Sequence, residues 1–302
     1  MKRKLKWVLA VLGATGLTAL AYRVIFVYQL RPGRCEATGG VETVHPPTAA
    51  APSAQPFRPG RPVRVLSYNI EGHAALIRPG HVAEVARVIR EQQPDIVALQ
   101  EVHRGTWEAR FEDQAAELGR LTGMSVHFGP SFGVFGGEFG NAILTRGTLR
   151  DAEVVRLPSF GEPRSLLRAR VEVNGNELDV MVTHLAAWGK LNKKIRVRQA
   201  QCLLEHARAR GRRYVLCGDL NATPGSAELD ALLTASPMRM CGLASEKTHP
   251  LLGQRIDYIF AGPGWEVGRA AVLEIGPSDH WPILADLTAR ELTAGAATGG
   301  SH

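Results

Sequence analysis

A layered α/β domain over residues 62–290 is what the sequence predicts. Short apolar, β-branched runs alternate along that stretch with segments of helical spacing. Strand candidates outnumber helices, and their connections are mixed: some are long enough to hold a helix, and one, Asn174-Gly175, is a tight hairpin turn. A stretch of this size is compatible with a single core.

Residues 63–70 are mostly apolar and read as a buried strand. Val82, Val85, Ala86 and Ile89 give 81–92 helical spacing, Pro94-Asp95 stops it, and 96–99 is the next strand. Residues 111–121 are again helical, with Gly123 as the stop. The segment 131–140, with Phe132, Phe135 and Phe139 among glycines, reads as a loop that packs its own rings or meets an apolar substrate. Strands are expected at 142–144, 152–157, 166–173 and 177–184. A basic helix over 193–210 leads to a strand at 214–217, and strands at 256–260, 267–273 and 282–287 complete the set. No internal repeat is present.

The N-terminus reads differently. Met1 to Lys6 is basic, and an apolar run follows that is broken only by Arg23 before Leu30. Residues 7–30 are long enough to cross a bilayer. Ala19-Leu20-Ala21 resembles a signal cleavage site, so 1–30 is either an uncleaved anchor or a signal peptide, and the anchor is favoured. The leading lysines place the start in the cytoplasm and the domain outside it, periplasmic or extracellular, and secreted if the segment is cleaved. No Leu-x-x-Cys precedes Cys35, which argues against a lipoprotein. Residues 31–61, rich in Pro, Ala, Gly and Thr, read as a linker, and 291–302 as a disordered tail.

The formal charge of +7 suggests a polyanion binder until it is located. Seven of the 36 Lys and Arg lie in residues 1–34, which hold no acid, and the other 29 balance the 29 Asp and Glu. The pI therefore describes the tether. Within the domain, the basic stretch 190–213 reads as a solvated helix face ahead of a nucleic-acid groove, and it could equally meet anionic headgroups. Cys35, Cys202, Cys217 and Cys241 lack metal-type pairing; Cys217 ends an apolar run and reads as core, while a disulfide among the others is undecided.

Seven apolar strands run out into polar residues: at Asn69, Glu101, Asn141, His184, Asp219 with Asn221, Asp257, and Asp279 with His280. Any one of these is an ordinary turn former. Together they supply hard oxygen ligands for Mg²⁺ or Mn²⁺ and imidazoles for proton transfer.

Leu99-Gln100-Glu101-Val102, Gly218-Asp219-Leu220-Asn221 and Ser278-Asp279-His280-Trp281-Pro282 resemble, in order, the signature segments of the endonuclease/exonuclease/phosphatase superfamily. The resemblance spans 63–287. It implies a four-layer α-β-β-α sandwich of two mixed sheets and a metal-dependent phosphoester hydrolase. It implies Glu101 as principal metal ligand with Asn69 beside it, and Asp279 as a further metal-site residue. Asp219 resembles the residue that holds or activates the attacking water, with Asn221 fixing it or binding phosphate. His280, with Asp257 as its carboxylate partner, looks like the phosphate-contacting imidazole. His184 matches the second histidine, whose partner would be Glu162 of Glu162-Pro163. Asn141 would lie near the phosphate, and Arg164 would either reach it or form an exposed salt bridge.

The expected substrate is a lipid headgroup or small phosphoester, with an extracytoplasmic nuclease as the alternative. The membrane is met through the N-terminal segment, and no protein partner is expected. A catalytically dead binding module would have lost some of Glu101, Asp219, Asn221, Asp257 and His280, and all are present.

Overall fold

The structure, a computed structural model, describes residues 35–40, 43–44, 61–134, 136–187 and 189–290. The expected anchor and tail lie outside these residues. Among the described residues no helix is long and apolar enough to cross a membrane.

Two seven-stranded mixed sheets form the body. The first contains β1 (Glu36–Gly40), β7 (Thr148–Leu157), β8 (Arg164–Val173), β9 (Asn176–His184), β10 (Tyr214–Asp219), β11 (Arg239–Met240) and β12 (Asp257–Ala261). Its order is β1-β7-β8-β9-β10-β12-β11. The second contains β2 (Thr43–Val44), β3 (Val63–Asn69), β4 (Ile96–Arg104), β5 (Ser125–Val134), β6 (Gly137–Thr145), β13 (Trp265–Val272) and β14 (Ile283–Ala289), ordered β13-β14-β3-β4-β6-β5-β2.

The period-2 alternation of each strand builds the layers. On β3, Val63 and Val65 join Ile143, Leu167 and Val182 in the core between the sheets. Leu66 and Tyr68 face the other way, onto helices α1 (His81–Gln92) and α2 (Gln114–Thr122). On the first sheet, Met181, Leu216 and Phe260 face helices α3 (Lys190–Arg208) and α4 (Ala227–Thr234). The expected helix–sheet–sheet–helix sandwich is thus present.

Helix α1 buries Val82, Val85, Ala86 and Ile89, the residues whose spacing predicted it. Helix α2 starts three residues later than expected. Asp113 caps it, its carboxylate accepting the Ala116 N–H at 2.9 Å, while Phe111 lies outside the helix at φ 63°. Replacing Asp113 with alanine is expected to cost about 1 kcal/mol in urea unfolding.

Three readings are corrected. Residues 131–140 are not a loop: β5 and β6 form a hairpin that turns at Gly136 (φ 82°), with Phe132 opposite Phe139 and their rings 5.1 Å apart. Cross-strand aromatic pairing outweighs the low strand propensity of the glycines there. The second correction is in the linker. Within it, β1 pairs with β7 and β2 pairs with β5. Both segments lie outside the proline-rich part, so their backbone donors are free to join a ladder. The third is a set of omissions, namely the start of β5, α4 and β11.

Cys35, just ahead of β1, forms a disulfide with Cys202 on α3. Cys217 and Cys241 are free and buried. Arg196 on α3 and Glu228 on α4 form a buried ion pair at 2.8 Å, and Arg196 also donates to the carbonyls of Ala186 and Ala187. That cluster fixes the chain where it leaves β9.

Candidate active site

Strand register gathers the polar residues. β9 and β10 run parallel with His184 opposite Asp219, while β10 and β12 are antiparallel with Asp219 opposite Asp257. In the facing sheet β3 and β4 are parallel, which sets Asn69 beside Gln100. A bulge then interrupts the β4–β6 ladder between Leu99 and Val102, and Glu101 takes a left-handed backbone (φ 58°). The extra residue turns Glu101 into the cleft. Gly218 allows β10 to close on β9: a side chain there would place its Cβ 2.0 Å from the Thr183 carbonyl oxygen.

Asp219 is the hub and is fully buried. Its Oδ1 accepts the Asn221 N–H at 2.8 Å, and its Oδ2 accepts from Asn69 Nδ2 at 3.2 Å. His184 Nε2 lies 3.5 Å and His280 Nε2 3.8 Å from the same Oδ2. Burial, and then the charge of Asp257, push the Asp219 carboxyl up to about 7. His280 Nδ1 donates to Asp257 Oδ2 at 2.8 Å. Burial works against charging that ring, but Asp257 outweighs it and lifts His280 to about 10. His280 is therefore an imidazolium whose free Nε2 faces the cleft.

The His184–Glu162 pair is not formed. Glu162 is taken by Arg164, two residues away in the same turn, at 2.8 Å. His184 Nε2 lies instead 3.0 Å from Asn221 Nδ2. Burial and the nearby Arg164 charge hold the His184 ring well below its usual pKa, so it is neutral. Arg164 is itself buried rather than an exposed salt-bridge residue, and among the described residues its Nε and Nη1 have no acceptor. Asn141 is buried beside it, donating to the Ser165 carbonyl at 3.3 Å. The cleft thus holds one buried guanidinium with open donors and one imidazolium, a pair suited to a phosphate.

The sequence profile of the Endonuclease/Exonuclease/phosphatase family matches residues 66–280, the span that holds all of these groups. The chain belongs to that family. Membership carries phosphoester hydrolysis as the class of activity. Mouse tyrosyl-DNA phosphodiesterase 2 is 26% identical over 157 residues, 51% of this chain and 39% of that protein. The chain thus matches about two fifths of that relative. A family structure from Beutenbergia cavernae superposes with TM-score 0.62 at 26% identity, covering 76% of this chain and 72% of the other. The human Nocturnin catalytic domain with bound sulfate gives TM-score 0.64 at 22% identity, over 76% and 94%.

Three groups of this family member's cleft carried no signal of strand-end position. Glu71 and His73 sit in the turn after β3, and His249 in the loop between β11 and β12. Glu71 Oε2 accepts the Asp279 N–H at 3.2 Å. The His73 ring lies 3.7 Å from both Glu71 and Glu101. His249 is 3.7 Å from Asp279 and stacks edge-on against His280. Only their closeness in sequence to Asn69 pointed to Glu71 and His73.

The donor set fits a hard divalent cation of the kind this family uses. Glu101 has one oxygen held by Asn69 Nδ2 at 3.1 Å, while the other, among the described residues, meets the half-exposed His73 at 3.7 Å. Burial opposes its ionisation, yet His73 and Asn69 keep the carboxyl below the ordinary carboxylate range. Asn69 presents its N–H side to Glu101 and Asp219, and its oxygen accepts the Glu71 N–H at 3.1 Å. In this arrangement Asn69 orients the carboxylates instead of offering a free carbonyl. Asp279, partly exposed, groups with His249 and His280 within ligand distance of one another, as do Asp219, Asp257 and His280.

Proposed function

We propose that the protein is a divalent-metal-dependent phosphodiesterase or phosphatase, using Mg²⁺ or Mn²⁺, held at a membrane with its domain extracytoplasmic. The observation that carries the reading is the convergence of Asn69, His184 and His280 on one oxygen of the buried Asp219, with Asp257 holding the His280 ring at 2.8 Å. Asp219 accepts the proton of an attacking water at neutral pH, and Asn221 N–H and Asn69 Nδ2 hold it in place. His280 Nε2–H, with Arg164, binds the phosphoryl oxygens as negative charge builds on them. Asp257 keeps that imidazole charged and aimed. Glu101, with Asn69, Glu71 and Asp279 around it, would hold the cation, which when bound neutralises the phosphate and stabilises the leaving oxygen.

The disulfide supports an oxidising, extracytoplasmic location. The test is hydrolysis by the full chain, with Mg²⁺ or Mn²⁺, of a bis-aryl phosphodiester, phospholipid vesicles, RNA and plasmid DNA. Metal-dependent turnover of the diester and lipid is expected. Turnover of DNA alone would favour the nuclease reading, and no turnover of any phosphoester by folded protein would overturn both. Replacing Glu101 with glutamine removes the ligand charge and is expected to weaken Mn²⁺ binding by roughly 10- to 100-fold in calorimetry.

A further inference from the structure

The large apolar side chains that remain exposed among the described residues lie on loops at one end of the sandwich, between 36% and 83% exposed. That end is the catalytic one. Ile77 follows β3 past Asn69, and Trp107 and Phe111 follow β4 past Glu101. Leu243, Leu251 and Leu252 lie in the loop that ends at Asp257, and Ile275 in the loop that carries Asp279 and His280. Scattered exposed apolar side chains need no explanation, but seven at one end do. Hydrogen bonds tie these loops into an arc around the cleft. Arg110 donates to the Leu76 carbonyl, Arg78 to the Pro277 carbonyl, and the Trp281 N–H to the Thr248 carbonyl.

The second observation is where the chain enters. Glu36 pairs with Arg156, next to Leu157, and Leu157 pairs with Arg164 of the cleft. Gln199 on α3 spans the Ala186 N–H and the Pro158 carbonyl, so neighbouring Cys202, with Cys35 bonded to it, is level with that same end. Only residues 31–34 separate Leu30, the last residue of the apolar run, from Cys35. Five residue steps reach at most about 18 Å. The headgroup layer takes up roughly 5–8 Å of that. With residues 7–30 as an anchor, β1 and the disulfide would leave only four residues between it and Cys35, where composition suggested a 31-residue linker.

Resting on the phosphoesterase reading and on residues 7–30 as an anchor, we propose that the catalytic face lies against the bilayer. Its apolar loops sit among the headgroups, and the substrate is a phosphoester carried by a lipid of the membrane that holds the anchor. Arg110, exposed on the same loops, suits anionic headgroups, whereas Arg78 is paired with Glu71 at 3.3 Å. A far-side attachment is excluded by length, because a ten-residue strand alone spans about 33 Å.

The test uses the full chain reconstituted in phosphatidylcholine vesicles containing phosphatidylglycerol. Brominated lipids are expected to quench the emission component that Trp107→Phe removes. The triple variant Ile77→Ser/Phe111→Ser/Leu251→Ser is expected to lower lipid turnover roughly tenfold or more while leaving a soluble diester unaffected. Lipid in the protein's own vesicles should be cleaved about tenfold faster than lipid in protein-free vesicles. Unquenched Trp107, or equal turnover of the two lipid pools, overturns the proposal. An unquenched Trp107 with self-association that the triple variant abolishes would assign the face to a second copy of the chain. Loss of all diester turnover would instead overturn the phosphoesterase reading, and the quenching would still decide the docking.

Discussion

Replacing His280 with alanine is expected to lower metal-activated hydrolysis of a soluble phosphodiester by roughly 10²- to 10⁴-fold. The size follows from the site, where Asp257 holds the buried His280 ring and its Nε2 is 3.8 Å from Asp219. Asp257→Asn is expected to be milder and more informative. It leaves the ring in place but removes the charge that lifts it to about 10. The ring should then titrate well below that value by NMR, and the alkaline limb of the pH–rate profile should move down with it. The sign of the stability effect follows. A ring whose folded pKa exceeds 6.5 contributes fully below pH 6.5, and the contribution is lost as pH rises through about 10. Urea unfolding of the metal-free protein at pH 6 and pH 10 should show that loss in the parent and not in the Asp257→Asn variant.

The second large effect is expected at the disulfide. Cys35 and Cys202 are 167 residues apart, so the bond restricts most of the unfolded chain. Cys35→Ala/Cys202→Ala is expected to lose about 2–4 kcal/mol in urea unfolding. Thiol titration of unfolded, unreduced protein should find two reactive cysteines, Cys217 and Cys241, rising to four after reduction. The free pair is buried, so the folded protein should react with neither.

What could be read from the sequence depended on whether the signal was local. Helix α1 was legible because four apolar residues at helical spacing all face one sheet. Asn69, Glu101, Asp219, Asp257 and His280 stood out because each ends or interrupts an apolar run, and the register brings them to one end of the sheets. Glu71, His73 and His249 lie in turns, where polar residues are the norm, and only the fold brings them to the cleft. Glu162 failed as a partner for His184 because Arg164, close in the same turn, competes for it with a full positive charge. The β5–β6 hairpin was hidden by its glycines, whose strand character comes from pairing. β1 and β2 were hidden by the composition of their flanks.

The placement of those two short strands has a consequence for handling the protein. β1 covers the outer edge of β7 in one sheet, and β2 covers that of β5 in the other. Both covered strands are ten residues long. A fragment begun near residue 62 would bare two such strands at once, each with a row of open backbone donors and acceptors that a second chain can extend. The segment ahead of the domain, which composition marks as linker, is thus also what guards its sheet edges against aggregation.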